Sequence, residues 1–295
     1  VKAHDDFRPN LSLNSIGDAQ CNLNEACQYN TVQTMVYGSP VIWKDTVVAL
    51  FGDRLVTINL NTGTQMNQKL ATDFGSFVLA SGMFSTPSVK NWADYGMDQT
   101  LVYVAGAGAR AFSAFNINTL DTVWSRKYDV HGTNTFTYGQ HCFVDVSGVP
   151  YLIYWGDGGD MYACNALTGA SIWGPINVGG NVTFTAVTDG DLVFVGHDEN
   201  VTNGDVKAYD PSDGSLVWSL STVNGGLLGG TVVPAKDYPG TEGFLAGMSY
   251  DATAGKLYVV SSYNPASNTT PVQDGGVMYR INAADGFVDW VQLSN

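Results

Sequence analysis

One hairpin pattern recurs along this chain, and it limits the fold more than any bulk property. An apolar run leads through a Gly- or Asp-bearing turn into a second β run that ends in a small polar cluster. A short run carrying tryptophan follows. The clearest copy reads Asp191-Leu-Val-Phe-Val-Gly196, Gly204-Asp-Val-Lys-Ala-Tyr-Asp210, then Asp213-Gly214-Ser-Leu-Val-Trp218. Other copies centre on Thr168-Gly169 with Trp173, on Asp285-Gly286 with Trp290, on Asn118–Asp121 with Trp124, and on Asn61-Thr-Gly63. Trp124, Trp173, Trp218 and Trp290 are separated by 49, 45 and 72 residues. The first two intervals match a four-stranded unit. The third implies a unit plus insertions, expected around Val233–Phe244 and Ser262–Gly275.

β-Branched and aromatic residues suit half-buried pleated strands. The Asn-Thr-Gly, Leu-Thr-Gly, Ser-Asp-Gly and Ala-Asp-Gly clusters supply positive φ and Asx-type bonds for tight turns. The tryptophan four residues beyond the turn glycine falls on the outer strand, where it anchors one sheet against the next. A lone four-stranded sheet leaves its faces open, so such repeats must stack on one another. No stretch sustains helical spacing of apolar residues over three turns. The expected fold is therefore all-β, a β-propeller of four-stranded antiparallel blades with five recognisable repeats.

These turns resemble those of the quinoprotein (PQQ-type) propeller family, in which a small-residue-Asp-x-x-Thr-Gly turn precedes a docking tryptophan. Tyr209–Trp218 matches well; Asn165–Trp173 and Asn282–Trp290 match except at the Asp position. Asn116–Trp124 carries Leu120 where glycine is usual, and after Asn59–Gly63 the tryptophan position holds Asn67. The resemblance implies seven or eight blades, so five repeats imply a compact ring of five or six or part of a longer chain. Residues 36–295 are expected to form the repeats in one domain. Residues 1–35 are expected to be an N-terminal extension, and a strand at Thr31–Tyr37 would help complete a blade.

The net charge of −14, from 27 acidic and 13 basic residues, repels phosphate backbones and anionic headgroups. Nucleic acid is thus not an expected partner. No apolar run reaches the roughly 20 residues of a membrane span, so membrane insertion is not expected either. Charged residues make up only 14% of the chain, against about a quarter in typical domains. Its polar surface must therefore come from Asn, Thr, Ser and Gly.

Cys21 and Cys27 lie in a polar turn-like stretch, and a disulfide between them would stabilise by about 2 kcal/mol in the chain-entropy model. Cys142 and Cys164 fall in strands of one repeat, either paired or as two buried thiols. Sequons at Asn10, Asn181, Asn200 and Asn268, together with the Cys21–Cys27 loop, favour a secreted or extracellular glycoprotein. A periplasmic setting is the alternative. The start, Val1-Lys-Ala-His4, reads as a processed or trimmed end.

Chemistry-bearing clusters are sparse. His141, Cys142 and Cys164 fall in one repeat, but buried thiols on a packed strand explain them better than a metal or redox centre. His197-Asp198-Glu199-Asn200 reads as a solvated polar loop. The acidic turns Asp157–Asp160, Asp189–Asp191 and Asp210–Gly214 lack the spacing of a Ca²⁺ loop. Ala105–Arg110 resembles a dinucleotide loop only superficially, because it leads into a strand and offers no helix N-terminus.

Quinone catalysis, as the family resemblance implies it, needs a vicinal disulfide stacked on the cofactor and a Ca²⁺ site with an Asp base. This chain has no Cys-Cys pair. No catalytic residue and no cofactor are therefore expected, with pyrroloquinoline quinone and Ca²⁺ as the alternative. The leading expectation is a non-catalytic secreted propeller that binds a protein or glycan, or builds an assembly as a homo-oligomer or filament. The alternatives are a small quinoprotein-like dehydrogenase with a central-channel site and a periplasmic outer-membrane assembly scaffold.

Overall fold

The structure is a computed structural model. It describes residues 39–51, 54–70, 86–106, 111–127, 141–155, 159–179, 186–200, 203–221, 241–243, 247–264 and 276–293. Contacts group the chain into two compact units, Val1–Asp129 with Thr135–Gly139 and Val130–Asn134 with Gln140–Asn295.

The first unit holds two antiparallel sheets in simple meander order. One consists of β1 (Val41–Trp43), β2 (Thr46–Phe51), β3 (Arg54–Asn59) and β4 (Gln65–Leu70). The other consists of β5 (Ser88–Asn91), β6 (Thr100–Gly106), β7 (Ala111–Asn116) and β8 (Thr122–Lys127). A single turn of 3₁₀ helix spans Ala93–Tyr95. Valines and leucines from both sheets, among them Val48, Leu50, Leu55, Val102 and Val104, share one core with Phe115 and Leu120.

The second unit repeats the plan three times. β9 (His141–Val146), β10 (Val149–Trp155), β11 (Asp160–Asn165) and β12 (Ser171–Asn177) form one sheet. β13 (Val187–Thr188), β14 (Val193–Asn200), β15 (Asn203–Tyr209) and β16 (Leu216–Ser221) form the next. The last contains β17 (Thr241–Gly243), β18 (Met248–Asp251), β19 (Lys256–Asn264), β20 (Gly276–Asn282) and β21 (Val288–Leu293). Here the long β19 pairs with β18 through Lys256–Val259 and with β17 through Ser262–Asn264. Part of each expected insertion is thus strand.

Alternation along β14 explains its unbroken apolar run. Val193 and Val195 join the core containing Ile153, Trp155 and Met161 of the preceding sheet. Phe194, on the opposite face, joins Leu257, Val259, Tyr279 and Ile281 of the following one. Neighbours cover both faces, so every side chain in the run is apolar. A fully buried phenylalanine such as Phe194 contributes about 1.5–3 kcal/mol.

One turn closes all five outer hairpins. The amides of Gly63, Leu120, Gly169, Gly214 and Gly286 donate to the carbonyls of Asn59, Asn116, Asn165, Asp210 and Asn282 at 2.8–2.9 Å. In four of these turns the Asx side chain also accepts from the amide two residues on: Asn61, Asn118, Leu167 and Ser212. The fifth residue is left-handed every time, with φ from +57° at Leu120 to +76° at Gly214. Glycine suits this geometry because a Cβ is strained there.

A β-bulge follows each turn at the same register. It falls between Thr57 and Ile58, Ala114 and Phe115, Ala163 and Cys164, Ala208 and Tyr209, and Arg280 and Ile281. Beside each bulge, Thr57 faces Asn67, Ala114 faces Trp124, Ala163 faces Trp173, Ala208 faces Trp218 and Arg280 faces Trp290.

The polar run His197–Asn200 is a strand and not the expected loop. His197 pairs with Asp205, Asp198 with Gly204 and Asn200 with Asn203. Backbone amides build the ladder, and a polar run without proline pairs as readily as an apolar one. No helix among the described residues is long and apolar enough to cross a membrane.

Candidate interaction site

The joint between sheets is built from the outer-strand residue of one and the turn of the next. Trp173 Nε1 donates to the Pro211 carbonyl and Trp218 Nε1 to the Ala283 carbonyl, each at 2.9 Å. Both acceptors directly follow the Asx residue of the turn. Beneath each indole lies the left-handed glycine. A Cβ on Gly286 would stand 2.8 Å from the Trp218 ring, and one on Gly214 would meet the Trp173 ring at 3.1 Å and collide with Ile176. Alanine at the facing position leaves room for aromatic contacts over it, as between Phe194 and Trp218 and between Tyr103 and Trp124.

Beside the Trp173 joint lies a groove of about 470 Å³, lined by Ile176, Val178, Lys207, Tyr209, Asp213 and Leu216 among others. Lys207 Nζ donates to the Val178 carbonyl at 2.7 Å and pairs with Asp205 at 3.3 Å. Burial, aided by the Asp205 carboxylate, pushes the Tyr209 hydroxyl well above its ordinary range, so it stays a hydrogen-bond donor. The Ser215 amide and hydroxyl lower the Asp213 carboxyl, which stays ionised. Leu216, which lines this groove, is 55% exposed, and Val217, next to it on the edge strand, is 49% exposed. The groove thus presents one phenol, one tethered ammonium, one carboxylate and an apolar strip.

The buried Cys142 and Cys164 are not joined in a disulfide. Cys142 faces Ile153 and Cys164 faces the adjacent Leu152, so they point to opposite faces of the sheet and do not pair. Burial pushes the Cys142 thiol up to about 12. His141 faces Tyr154, on the side opposite Cys142, and packs edge-on against Phe143. The triad His141, Cys142 and Cys164 therefore does not share one face.

The described acidic turn residues are occupied locally. Asp160 accepts from Asn177, Asp189 from the amides of Asp191 and Leu192, and Asp210 from Ser212. Among the described residues no three His, Cys, Asp or Glu side chains gather as a metal site would require. The sequence has no adjacent cysteines, and the two described thiols lie on opposite faces of their sheet. Cys21, Cys27, Asn10, Asn181 and Asn268 lie outside the described residues, and Asn200 is described as backbone at the end of β14.

Sequence reasoning missed two contributors. Asn67 takes the tryptophan's place and donates from Nδ2 to the Asn118 carbonyl at 2.8 Å; its spacing from Gly63 was the available signal. Lys207 reaches a carbonyl 29 residues away in sequence, and no local pattern announces that contact.

Residues 157–295 match the family model described as outer membrane protein assembly factor BamB. No curated protein sequence matches the chain. Among solved structures, BamB from Moraxella catarrhalis superposes with a TM-score of 0.56 at 14% identity, covering 90% of this chain and 66% of that one. Quinohemoprotein alcohol dehydrogenase from Comamonas testosteroni gives 0.56 at 12% identity, covering 93% of this chain and 55% of that one. A europium-containing methanol dehydrogenase gives 0.58 at 14% identity, covering 90% and 65%. The chain spans just under two thirds, or less, of the length of each. These superpositions and the antiparallel sheets give the chain a β-propeller fold, and residues 157–295, with their repeated turn, bulge and docked indole, resemble the BamB-type repeat.

Proposed function

We propose that the chain is a non-catalytic propeller that binds a protein partner within an assembly outside the cytoplasm. The observation that carries this reading is the groove between β12 and β16 with its exposed Leu216, next to the exposed Val217 on the same strand. It lies inside the residues that match the BamB family model. Apolar side chains on an exposed edge strand, beside a phenol and fixed charges, are the ingredients of a protein interface. That match supports a periplasmic setting over a fully secreted one.

A photo-crosslinker placed at Leu216 in the native host tests the reading. The expected result is one reproducible protein adduct that Val217→Asp abolishes. Failure to recover an adduct, together with dye-linked alcohol oxidation by the chain supplied with pyrroloquinoline quinone and Ca²⁺, would replace it with a dehydrogenase.

A further inference from the structure

The outer strand β16 is the edge of its sheet, and among the described residues it pairs with β15 alone. Its far edge therefore presents backbone N–H and C=O groups that no described strand pairs with, a template for one more strand. Outer strands of the other sheets carry residues that discourage such pairing: Lys69 in β4, Arg126 in β8, Pro175 in β12 and Asp289 in β21. A charge resists desolvation in a new ladder, and proline lacks the amide. The sequence of β16, Leu-Val-Trp-Ser-Leu-Ser, has neither a charge nor a proline. Its first two residues, Leu216 and Val217, are exposed.

The groove beside this edge is acidic. Lys207 is tied to the Val178 carbonyl and to Asp205, so its charge is matched within the protein. The Asp213 carboxylate, in the turn that leads into β16, is exposed and accepts from the Ser215 amide. The whole chain carries a net charge of −14. A second copy would bring like charge to this edge, whereas a cationic segment is attracted to it. Ile176 and Leu216 add apolar surface to the same groove.

We propose that β16 takes up an extended, cationic segment of a partner protein as a fifth strand. Main-chain bonds along the open edge hold the segment. Apolar side chains from its alternate positions enter the groove over Ile176 and Leu216, and a lysine or arginine at its end meets Asp213. This rests on the reading of the groove as a partner site, and adds how the partner is held and what its contacting segment is made of.

The probe is a dansyl-labelled peptide, Lys-Lys-Thr-Val-Thr-Val-Thr-Val-Lys-Lys, titrated with the full chain and followed by fluorescence anisotropy. Lysines at both ends allow either strand direction to reach Asp213. Saturable binding is expected, together with slowing of amide hydrogen exchange across Leu216–Ser221 by about tenfold or more. Two further peptides are N-methylated at the valine amides or at the threonine amides. A strand turns alternate amides to one edge, so one of the two should bind about tenfold or more weakly. Asp213→Asn keeps the acceptor for the Ser215 amide and should weaken the parent peptide about threefold or more. Failure of the parent peptide to bind, or equal binding by both methylated forms and the parent, overturns the proposal. So does dimerisation of the chain alone with Leu216–Ser221 protected, which would give the edge to a second copy. A Leu216 adduct in the native host alongside either result keeps the groove as a partner site and removes only the added strand.

Discussion

Asn67 and Leu120 belong to one joint: the Asn67 amide donates to the Asn118 carbonyl at 2.8 Å, two residues before Leu120. These are the two positions at which a joint departs from the repeat. Where other sheets place an indole there is a short amide, and where other turns place glycine there is a leucine, 1% exposed and left-handed at φ +57°. An indole needs bare backbone beneath it, whereas an asparagine leaves that space for a side chain. Leu120 fills it from the turn side and joins the core of Val48, Leu50 and Leu55. The cost of a non-glycine residue in the left-handed region is about 1–2 kcal/mol, which the burial of leucine offsets.

This pairing predicts strong non-additivity. Asn67→Trp alone meets Leu120 and destabilises by about 1–3 kcal/mol through overpacking. Leu120→Gly alone relieves the strained φ but empties the core, with a net loss of about 1–3 kcal/mol. The double variant rebuilds the joint seen at Trp218 and should be more stable than the sum of the singles by about 1–3 kcal/mol. Urea unfolding of the four proteins gives the cycle. An interaction energy near zero would show that the two substitutions are unrelated.

Glycines of similar backbone should respond differently to alanine. Gly148, at φ +81°, has open space where its Cβ would be, so Gly148→Ala costs only the backbone strain, about 1 kcal/mol. Gly286, at φ +74°, would bring a Cβ to 2.8 Å from the Trp218 ring. Its alanine variant adds displacement of the indole and should lose about 2–4 kcal/mol. Comparison of urea midpoints decides; equal losses would mean the indole moves freely.

The five turns were legible because their chemistry is local. An Asx side chain that accepts amides and a glycine that tolerates positive φ must lie at fixed spacing, as Asp210 and Gly214 do. The tryptophan positions were legible for the same reason. What escaped depends on register. That Cys142 and Cys164 occupy opposite faces follows from their pairing with Ile153 and Leu152, and the sequence alone left disulfide and free thiols equally open. His197–Asn200 read as a loop because its side chains are polar, although ladder bonds are made by backbone. The groove was invisible because Lys207 lies on β15 and Val178 just past the end of β12, 29 residues away in sequence.

Docked and undocked indoles give a further contrast. Trp218→Phe leaves the Ala283 carbonyl without its donor and thins the core around Phe194 and Tyr279, for a loss of about 1–3 kcal/mol. Trp290→Phe, at an exposed position, should change stability by at most about 0.5 kcal/mol in dilute solution. Thermal unfolding of both variants at low protein concentration checks the ordering, and equal losses would place Trp290 in a covered joint.

Burial of Cys142 gives the stability a defined pH signature. The thiol is raised from 9.0 to about 12 by desolvation alone. Below pH 9 it is protonated in both folded and unfolded chains and contributes no slope. Above pH 9 the unfolded chain releases this proton while the folded one retains it, so the unfolded state binds fewer protons and stability falls. The slope attributable to the residue is at most about 1.4 kcal/mol per pH unit between pH 9 and 12. Cys142→Ala should lower stability at pH 7 through lost packing yet flatten the decline above pH 9. The difference between wild-type and variant unfolding free energies, followed from pH 7 to 11, isolates this group from the tyrosines and lysines that titrate in the same range. Below pH 9 the difference should be constant, and above it the wild-type advantage should shrink steadily. A difference that stays constant throughout would mean that the thiol ionises equally in both states and is not held in the apolar core of Ile153 and Trp155.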